Sequence, residues 1–343
     1  MARVTVAGTT GWGTTLGVIL AKQGHSVYLW ARTVTEALAL QKARENKRFA
    51  AGAIFPSTLR VCNDPDEALG ETELLIVAVP STTVRVNLRK LAIAIPSRSL
   101  IVSATKGIDL KTGKRMSELI YEETDGHDSD LIGALSGPNL AREIADGKPS
   151  SATVAFPNTT SAKQAQSILN SESFRVYRSD DLIGVELGGA LKNIVAIGAG
   201  IIDGLGLGNN SKSAFLTRGL HEISRLGVTL GAKPETFYGL AGVGDMIATA
   251  FSQLSRNRHV GEQLAKGKSI ENIVAEMDQA PEGIHTTNAA LTIAQHHGID
   301  MPLTEMTARV MFEHLDPLRA IQQLMRRAPA PEIRATPSND SAS

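Results

Sequence analysis

The stretch that decides the fold is residues 6–17, which read VAGTTGWGTTLG. A short, partly β-branched apolar run leads into a glycine-rich turn, and a helical pattern continues from the turn to about Gln23. This is the strand, turn and helix context that a dinucleotide-binding fingerprint requires. The sequence therefore predicts a Rossmann domain at the N-terminal end of the chain.

Each glycine of the turn has an expected task. Gly8 supplies the tight turn and Gly13 lets the helix pack closely on the strand, so that backbone N–H groups at the positive helix end hold a pyrophosphate. Thr10 stands where the fingerprint has its second glycine, and Gly11 beside it could restore clearance through a shifted turn. The alternative, a purely structural turn, is disfavoured by the strand and helix on either side.

The end of the second predicted strand bears on which cofactor is used. An acidic residue there meets the ribose hydroxyls of NAD, whereas an arginine accommodates the 2′-phosphate of NADP. Here Arg32 follows the strand and no acid occurs before Glu36. We expect NADPH to be used at least as well as NADH; the alternative is that Arg32 is a solvated surface residue.

Apolar runs and helical patterns alternate through the first half of the chain. Strands are predicted at 4–7, 27–30, 74–79, 100–104, 132–135, 151–155 and 174–177. This rhythm predicts an α/β Rossmann domain with a doubly wound, mostly parallel sheet. Alanine- and leucine-rich helical patterns then follow, so we expect a Rossmann domain at 1–184, an all-α substrate-binding domain at 185–327 and a disordered tail at 328–343.

Composition excludes several classes of protein. Lys plus Arg and Asp plus Glu both number 35 in 343 residues, so no net charge recruits nucleic acid or an anionic membrane. Cys62 is the single cysteine and cannot form an internal disulfide. The first residues do not read as a signal peptide, and no apolar run approaches the roughly 20 residues of a membrane span. We expect a cytoplasmic protein with small-molecule partners.

Other kinds of catalytic site lack their motifs. The eight histidines show no metal-binding or nucleophile spacing, so no metal is expected. Neither a G-x-S-x-G elbow nor a phosphate-binding G-x-x-x-x-G-K-[ST] occurs, which argues against a hydrolase or a nucleotide triphosphatase.

Two lysines suit the chemistry of a dehydrogenase. Hydride addition to a ketone leaves negative charge on oxygen, which needs a proton donor and cationic groups. Lys106 follows the C-terminal end of a predicted strand, and Lys192 lies on a predicted helix one turn after Gly188, which could leave room for a flat ring. If the lysines converge, charge repulsion and burial should lower the pKa of at least one; alternatively, each is a solvated surface charge.

Five segments occur in an order that carries a resemblance. They are SATKG at 103–107, SGPN at 136–139, GVELGGALKN at 184–193, GVGD at 242–245 and SRNR at 255–258. With them the chain resembles the NAD(P)-dependent glycerol-3-phosphate dehydrogenases of bacterial type, from Val4 to about Met325. The resemblance implies reversible reduction of dihydroxyacetone phosphate to sn-glycerol 3-phosphate with NADPH or NADH, supply of phospholipid synthesis, and a homodimer.

The resemblance also implies roles for residues. Lys192 would give the proton in reduction and take it in oxidation, Lys106 would polarise the substrate oxygen, and Asp245 would complete the catalytic set. Implied substrate contacts are Lys106, Gly137, Asn139, Lys192, Asn193, Asp245, Thr249, Ser255, Arg256 and Asn257. Implied cofactor contacts, with Gly8 and Gly13 from the fingerprint, are Gly11, Trp12, Arg32, Lys106, Gly137, Ala141, Arg256, Ala280 and Glu282.

Local patterns leave some alternatives open. A helix from about Arg258 would put Ser255 near its N-terminal end, which favours an anion such as phosphate. Asp245 could bind a substrate hydroxyl or cap a helix. Asn139 stands where the family usually has Ser or Thr, and Pro281 lies in a segment that is usually valine-rich.

Two other functions compete with this interpretation. One is a dehydrogenase of the same plan that reduces a keto acid or β-hydroxy acid, against which the anion-binding segment argues. The other is a catalytically silent dinucleotide sensor, in which Lys106, Lys192 and Asp245 would have no reason to persist.

Overall fold

The computed structural model describes residues 1–278, 280–329 and 331–332. Its first half is one sheet with the strand order β3-β2-β1-β4-β5-β6-β7-β8. The strands are β1 Arg3–Ala7, β2 Ser26–Trp30, β3 Leu59–Cys62, β4 Leu74–Val77, β5 Leu100–Ser103, β6 Ile132–Ser136, β7 Ser150–Ala155 and β8 Phe174–Ser179. All neighbours pair in parallel except β6 and β7. The predicted fold class is confirmed.

Strand β3 is the element that the sequence analysis missed. It has four residues, and Arg60 within it is exposed, so neither a long apolar run nor a regular alternation marks it. It forms because β2 offers it a parallel partner, with Val27 opposite Leu59.

The sheet has a hydrophobic core on each face. Leu74 and Ile76 pack into one cluster of buried residues, whereas Leu75 and Val77 pack into another. Crossover helices cover both faces, which explains why β4 is continuously apolar. These helices are α1 Gly11–Lys22, α2 Val34–Ala43, α3 Lys47–Ala50, α4 Pro65–Leu69, α5 Val84–Leu91, α6 Met116–Glu123, α7 Ala141–Ala145 and α8 Thr159–Leu169.

The second half is helical and surrounds one long central helix. Its helices are α9 Leu182–Gly204, α10 Gly208–Thr229, α11 Pro234–Phe237, α12 Asp245–Phe251, α13 Arg256–Ala265, α14 Ile270–Ala275, α15 Glu282–His296, α16 Pro302–Phe312 and α17 Pro317–Met325, with a π-helical turn at Leu240–Gly244. Helix α9 is long and apolar enough to cross a membrane, but the whole of its most apolar window is buried inside the protein.

Helices α9 and α13 cross at very short range. A Cβ on Gly261 would lie 2.0 Å from the carbonyl oxygen of Ile197, and one on Gly200 would lie 2.0 Å from that of Arg258. Only glycine fits at this crossing. The crossing therefore holds the first two turns of α13 against the C-terminal half of α9, the helix that carries Lys192.

The two predicted domain limits can be located on the structure. The division after residue 184 lies in the first turn of α9, after β8 has ended at Ser179, and it stays a prediction. Of the tail predicted at 328–343, only 328, 329, 331 and 332 are among the described residues.

Candidate active site

The glycine-rich turn leaves no room for larger residues. Gly8 has a φ of +120°, and a Cβ there would lie 2.7 Å from the carbonyl oxygen of Ala78. A Cβ on Gly13 would lie 2.3 Å from the carbonyl oxygen of Gly8. The turn and the strand-to-helix packing thus require the two glycines that the fingerprint singles out.

Thr10 fits the turn without being a glycine. Its φ is −64°, and its hydroxyl donates to the carbonyl of Ala78 at 2.8 Å and accepts the N–H of Gly13 at 3.1 Å. The side chain is therefore folded into the protein as the N-cap of α1. The turn thus accommodates Thr10 at the position where the fingerprint has a glycine.

The start of α1 suits a pyrophosphate. The N–H groups of a first helical turn have no partners within the helix, and the helix dipole favours an anion there. Gly11 and Trp12 begin this turn. The ring of Trp12 packs edge-on against Phe174, with 6.1 Å between centroids, so the backbone of Trp12 rather than its ring is placed to contact a dinucleotide.

Asn46 holds a short helix over the turn, and the sequence analysis missed it. The buried amide donates to the carbonyl of Thr9 at 2.8 Å and to the hydroxyl of Thr14 at 2.9 Å. Helix α3 consequently crosses the turn, and a Cβ on Gly11 would lie 3.0 Å from the carbonyl oxygen of Phe49. No local pattern marks Asn46, because its partners lie more than 30 positions away.

Two further cofactor candidates lie around this turn. Arg32 is exposed, two residues beyond the end of β2. Ala141 begins α7, and its carbonyl accepts the hydroxyl of Thr15 on α1 at 3.4 Å. Ala141 thus contacts α1, and Arg32 follows the strand that pairs with β1.

The last cofactor candidates lie where the helical half meets the sheet. Ala280 is half-buried, and Glu282 begins α15. The Glu282 carboxylate accepts the N–H of Ser81 at 3.0 Å and also the Ser81 hydroxyl. The sequence analysis missed Ser81, although a polar residue just beyond the C-terminal end of β4 is a signal that could have identified it.

The two lysines meet at one carboxylate. Lys106 Nζ lies 2.6 Å from Asp245 Oδ2 and donates to the carbonyl of Gly137 at 2.9 Å. Lys192 Nζ lies 2.9 Å from Asp245 Oδ1 and 2.5 Å from the Thr249 hydroxyl. An ammonium group has three donors, so each lysine keeps one N–H beyond these contacts.

Each member of this group comes from a different element. Lys106 lies three residues beyond β5, Lys192 lies in the middle of α9, and Asp245 is the first residue of α12. Gly244 is the N-cap of α12 and makes no side-chain cap, so the alternative in which Asp245 merely caps a helix is wrong. The Asp245 carboxylate instead joins the two lysines.

Burial and mutual charge set the protonation of the group. Burial, reinforced by the charge of Lys106 and partly offset by Asp245, lowers the pKa of Lys192 to about 8. Burial alone would raise the pKa of Asp245, but the two ammonium groups outweigh it and hold that pKa below its usual range. Lys192 can therefore exchange its proton near neutral pH while Asp245 stays ionised.

Gly188 does not leave the space beside Lys192 that the sequence analysis expected for a flat ring. A Cβ on Gly188 would lie 2.9 Å from the carbonyl oxygen of Ala241, so this glycine serves the close packing of α9 on the π-helical turn. The next residue, Gly189, faces the active site instead: a Cβ there would lie 2.3 Å from Ser136 Oγ and 3.6 Å from Lys106 Cγ. The helical spacing was correct, but the packing partner could not be seen in the sequence.

A second polar group lies at the start of α13. Ser255 is its N-cap and accepts the N–H of Arg258 at 3.2 Å, while the Arg256 side chain is exposed. Asn257 donates to Asn193 Oδ1 at 2.9 Å and accepts the N–H of Gly283 at 3.0 Å. Because Asn193 follows Lys192, these bonds fix the helix start relative to the lysine.

Asn139 lies near Gly137, at the edge of the lysine group. Its amide donates to the carbonyl of Ser151 at 2.9 Å and to the Ser150 hydroxyl at 3.2 Å. Its Oδ1 is buried and has no hydrogen-bond partner among the described residues. An acceptor is thus available beside the carbonyl that receives Lys106.

Known proteins are similar to this chain along nearly its whole length. Models of the N-terminus and C-terminus of NAD-dependent glycerol-3-phosphate dehydrogenase match residues 3–162 and 181–322. A glycerol-3-phosphate dehydrogenase [NAD(P)+] of Prosthecochloris aestuarii is 42% identical over 96% of this chain and 99% of its own. One of Dehalococcoides mccartyi is 45% identical over 97% of this chain and 93% of its own. The crystal structure of glycerol-3-phosphate dehydrogenase from Coxiella burnetii, 35% identical, covers 95% of this chain and 99% of its own with a TM-score of 0.89.

Proposed function

The chain belongs to the NAD-dependent glycerol-3-phosphate dehydrogenase family, and from this premise we propose that Lys192 is the proton donor when the enzyme reduces its ketone substrate. The enzyme is an NAD(P)-dependent oxidoreductase that interconverts dihydroxyacetone phosphate and glycerol 3-phosphate. The observation that carries the proposal is the pair of lysines bonded to one buried Asp245, each with a donor left over.

The remaining donors define where the ketone oxygen binds. Lys106 and Lys192 are held by opposite oxygens of Asp245, so their free N–H bonds can converge on a single oxygen. Because the ion pair with Asp245 and the bond to Gly137 hold Lys106 in place, its remaining N–H is positioned to polarise the carbonyl. Asp245 acts through the lysines by fixing both positions.

The proton transfer follows from the pKa of Lys192. When bound, a reduced nicotinamide would supply the hydride that adds to the ketone carbon. Lys192 gives one Nζ proton to the oxygen on which negative charge develops, and becomes a neutral amine. In oxidation the neutral amine takes that proton back. A pKa of about 8 makes both forms of Lys192 accessible near neutral pH.

The start of α13 suits the phosphate of the substrate. Arg256 offers a planar fork of donors, and the first-turn N–H groups add the favourable end of the helix dipole. The bonds of Asn257 to Asn193 and Gly283 tie this site to the residue next to Lys192. The arrangement supports binding of a three-carbon phosphate ester with its ketone at the lysines.

We also infer the setting in which the enzyme works. A balanced charge, a buried α9 and a single cysteine support a cytoplasmic enzyme. Supply of glycerol 3-phosphate to phospholipid synthesis and assembly as a homodimer rest on the family resemblance alone.

The test follows the oxidation of NADPH and NADH by the purified protein with dihydroxyacetone phosphate, using unphosphorylated dihydroxyacetone as the control. Fast turnover with the phosphate ester, and turnover at least a hundredfold slower with the control, is the expected result. Cofactor binding without turnover of the phosphate ester would overturn the proposal.

A further inference from the structure

A carboxylate lies against the glycine-rich turn that follows β1. Glu36 Oε1 accepts the hydroxyl of Thr9 at 2.5 Å. Both residues are half-buried, and Thr9 directly follows Gly8 in the turn. This hydrogen bond is separate from the N-cap of α2, which Thr33 supplies.

The strand register places this carboxylate beside Arg32. Ala7 at the end of β1 pairs with Trp30 at the end of β2, so Thr9 and Arg32 each lie two residues beyond a shared edge. In a Rossmann domain this is where the adenosine ribose lies, next to the first turn. Glu36 and Arg32 thus bring opposite charges to the same part of the cofactor site.

The two forms of the cofactor differ here in chemistry. A ribose 2′-hydroxyl is a donor that a carboxylate can accept, whereas a 2′-phosphate carries negative charge that a carboxylate repels. One bond from Thr9 leaves the Glu36 carboxylate with further acceptor capacity. We propose that Glu36, held on the turn by Thr9, is a specificity-determining residue that favours NADH and opposes the preference for NADPH that Arg32 provides.

This inference rests on the proposed function only in requiring a nicotinamide dinucleotide at the turn, so binding and turnover are measured separately. Dissociation constants for NADH and NADPH are measured by titration calorimetry on the full chain and on Glu36→Gln, Thr9→Val and Glu71→Gln. Glu71 is the matched control, because it is an exposed carboxylate before β4, at the opposite edge of the sheet.

In Glu36→Gln the ratio of the NADH to the NADPH dissociation constant should rise at least about tenfold, since the bond to a charged acceptor is lost and the repulsion is removed. Thr9→Val should shift the ratio in the same direction by a smaller factor, and Glu71→Gln should leave it within twofold.

An unchanged ratio in Glu36→Gln, or equal weakening of both cofactors, would overturn the inference. Thr9→Val tests it independently if Glu36→Gln does not fold. Wild-type protein that binds both cofactors but does not reduce dihydroxyacetone phosphate would refute the proposed function while the ratios still decide the role of Glu36.

Discussion

Lys192 and Asp245 form an ion pair, with 2.9 Å between Nζ and Oδ1 and both side chains almost completely buried. Burial lowers the pKa of Lys192 and so favours the neutral amine, whereas the charge of Asp245 raises that pKa and favours the ammonium form. The balance is a lysine with a pKa of about 8, in contrast to 10.5 for a free lysine. Asp245 therefore sets the protonation of Lys192 as well as its position.

The reaction should depend on pH in opposite ways in its two directions. With Lys192 as the proposed proton donor, reduction uses its ammonium form, so the kcat/KM of reduction should fall as the pH rises through about 8. Oxidation of glycerol 3-phosphate requires the neutral amine, so its kcat/KM should rise through the same pH. Since Asp245 raises the pKa of Lys192, Asp245→Asn should shift both inflections to lower pH. Initial rates at matched ionic strength measure this, and inflections that do not move would refute control by Asp245.

Replacing Lys192, the proposed proton donor, should lower kcat strongly without abolishing cofactor binding. Lys192→Met keeps much of the side-chain volume but removes the ammonium group, so kcat should fall by about 10² to 10⁴. Lys163→Met is the matched control, because Lys163 is exposed on α8. Steady-state rates and titrations with cofactor give the two quantities. A Lys192→Met protein with near-normal kcat would rule out the proton-donor role.

The same substitution should make the fold more stable. The fall in the Lys192 pKa from 10.5 to about 8 means that holding the charged form at neutral pH costs roughly 3 kcal/mol. Between these two pKa values the unfolded chain binds more protons, so this group makes wild-type stability rise with pH across that window. Lys192→Met should therefore raise the free energy of unfolding at pH 7 by up to about 3 kcal/mol, and the gain should shrink toward pH 10.5.

Urea denaturation at pH 7 and at pH 10 measures this difference. Lys106 still pairs with Asp245 in the variant, so no buried carboxylate is left alone. A loss of stability at pH 7 would show that the bonds of Lys192 to Asp245 and Thr249 outweigh its desolvation.

The sequence allowed prediction of features that follow from local pattern. Seven strands are marked by apolar runs, and the glycine-rich turn by its spacing. Lys106 and Lys192 stood out because they accompany glycines at a strand end and on a helix. The structure brings them together through Asp245, but their roles remain proposals.

What the sequence could not show depends on distant partners. The role of Asn46 depends on its hydrogen bonds to Thr9 and Thr14, which are distant in the sequence. Gly188 was assigned to the cofactor because its packing partner, Ala241, lies 53 positions away and could not be identified from the sequence. The carboxylate of Glu36 likewise acquires its position from Thr9 in the turn. In each case, tertiary packing decides which of several locally reasonable tasks the residue performs.

Glu186 offers a test of how the two halves are held together. It lies on α9 and is buried, accepting the N–H of Ser117 at 2.7 Å, the Ser117 hydroxyl at 2.6 Å and Arg115 Nη1 at 2.5 Å. Glu186→Ala leaves the buried N–H and hydroxyl of Ser117 without this acceptor and removes the closer carboxylate partner of Arg115. The free energy of unfolding should therefore fall by about 3 kcal/mol or more. The kcat should fall too, because α9 carries Lys192.

Glu118→Ala is the matched control, since Glu118 also pairs with Arg115, at 3.4 Å, but its side chain is 46% exposed. An exposed pair of this kind contributes at most about 1 kcal/mol, so this variant should unfold close to wild type and keep its kcat. Chemical denaturation and steady-state rates on both variants compare the two carboxylates directly. Equal losses of unfolding free energy in the two variants would contradict this. They would mean that both carboxylates stabilise the fold by pairing with the charge of Arg115, and that the buried contact between α9 and α6 adds nothing.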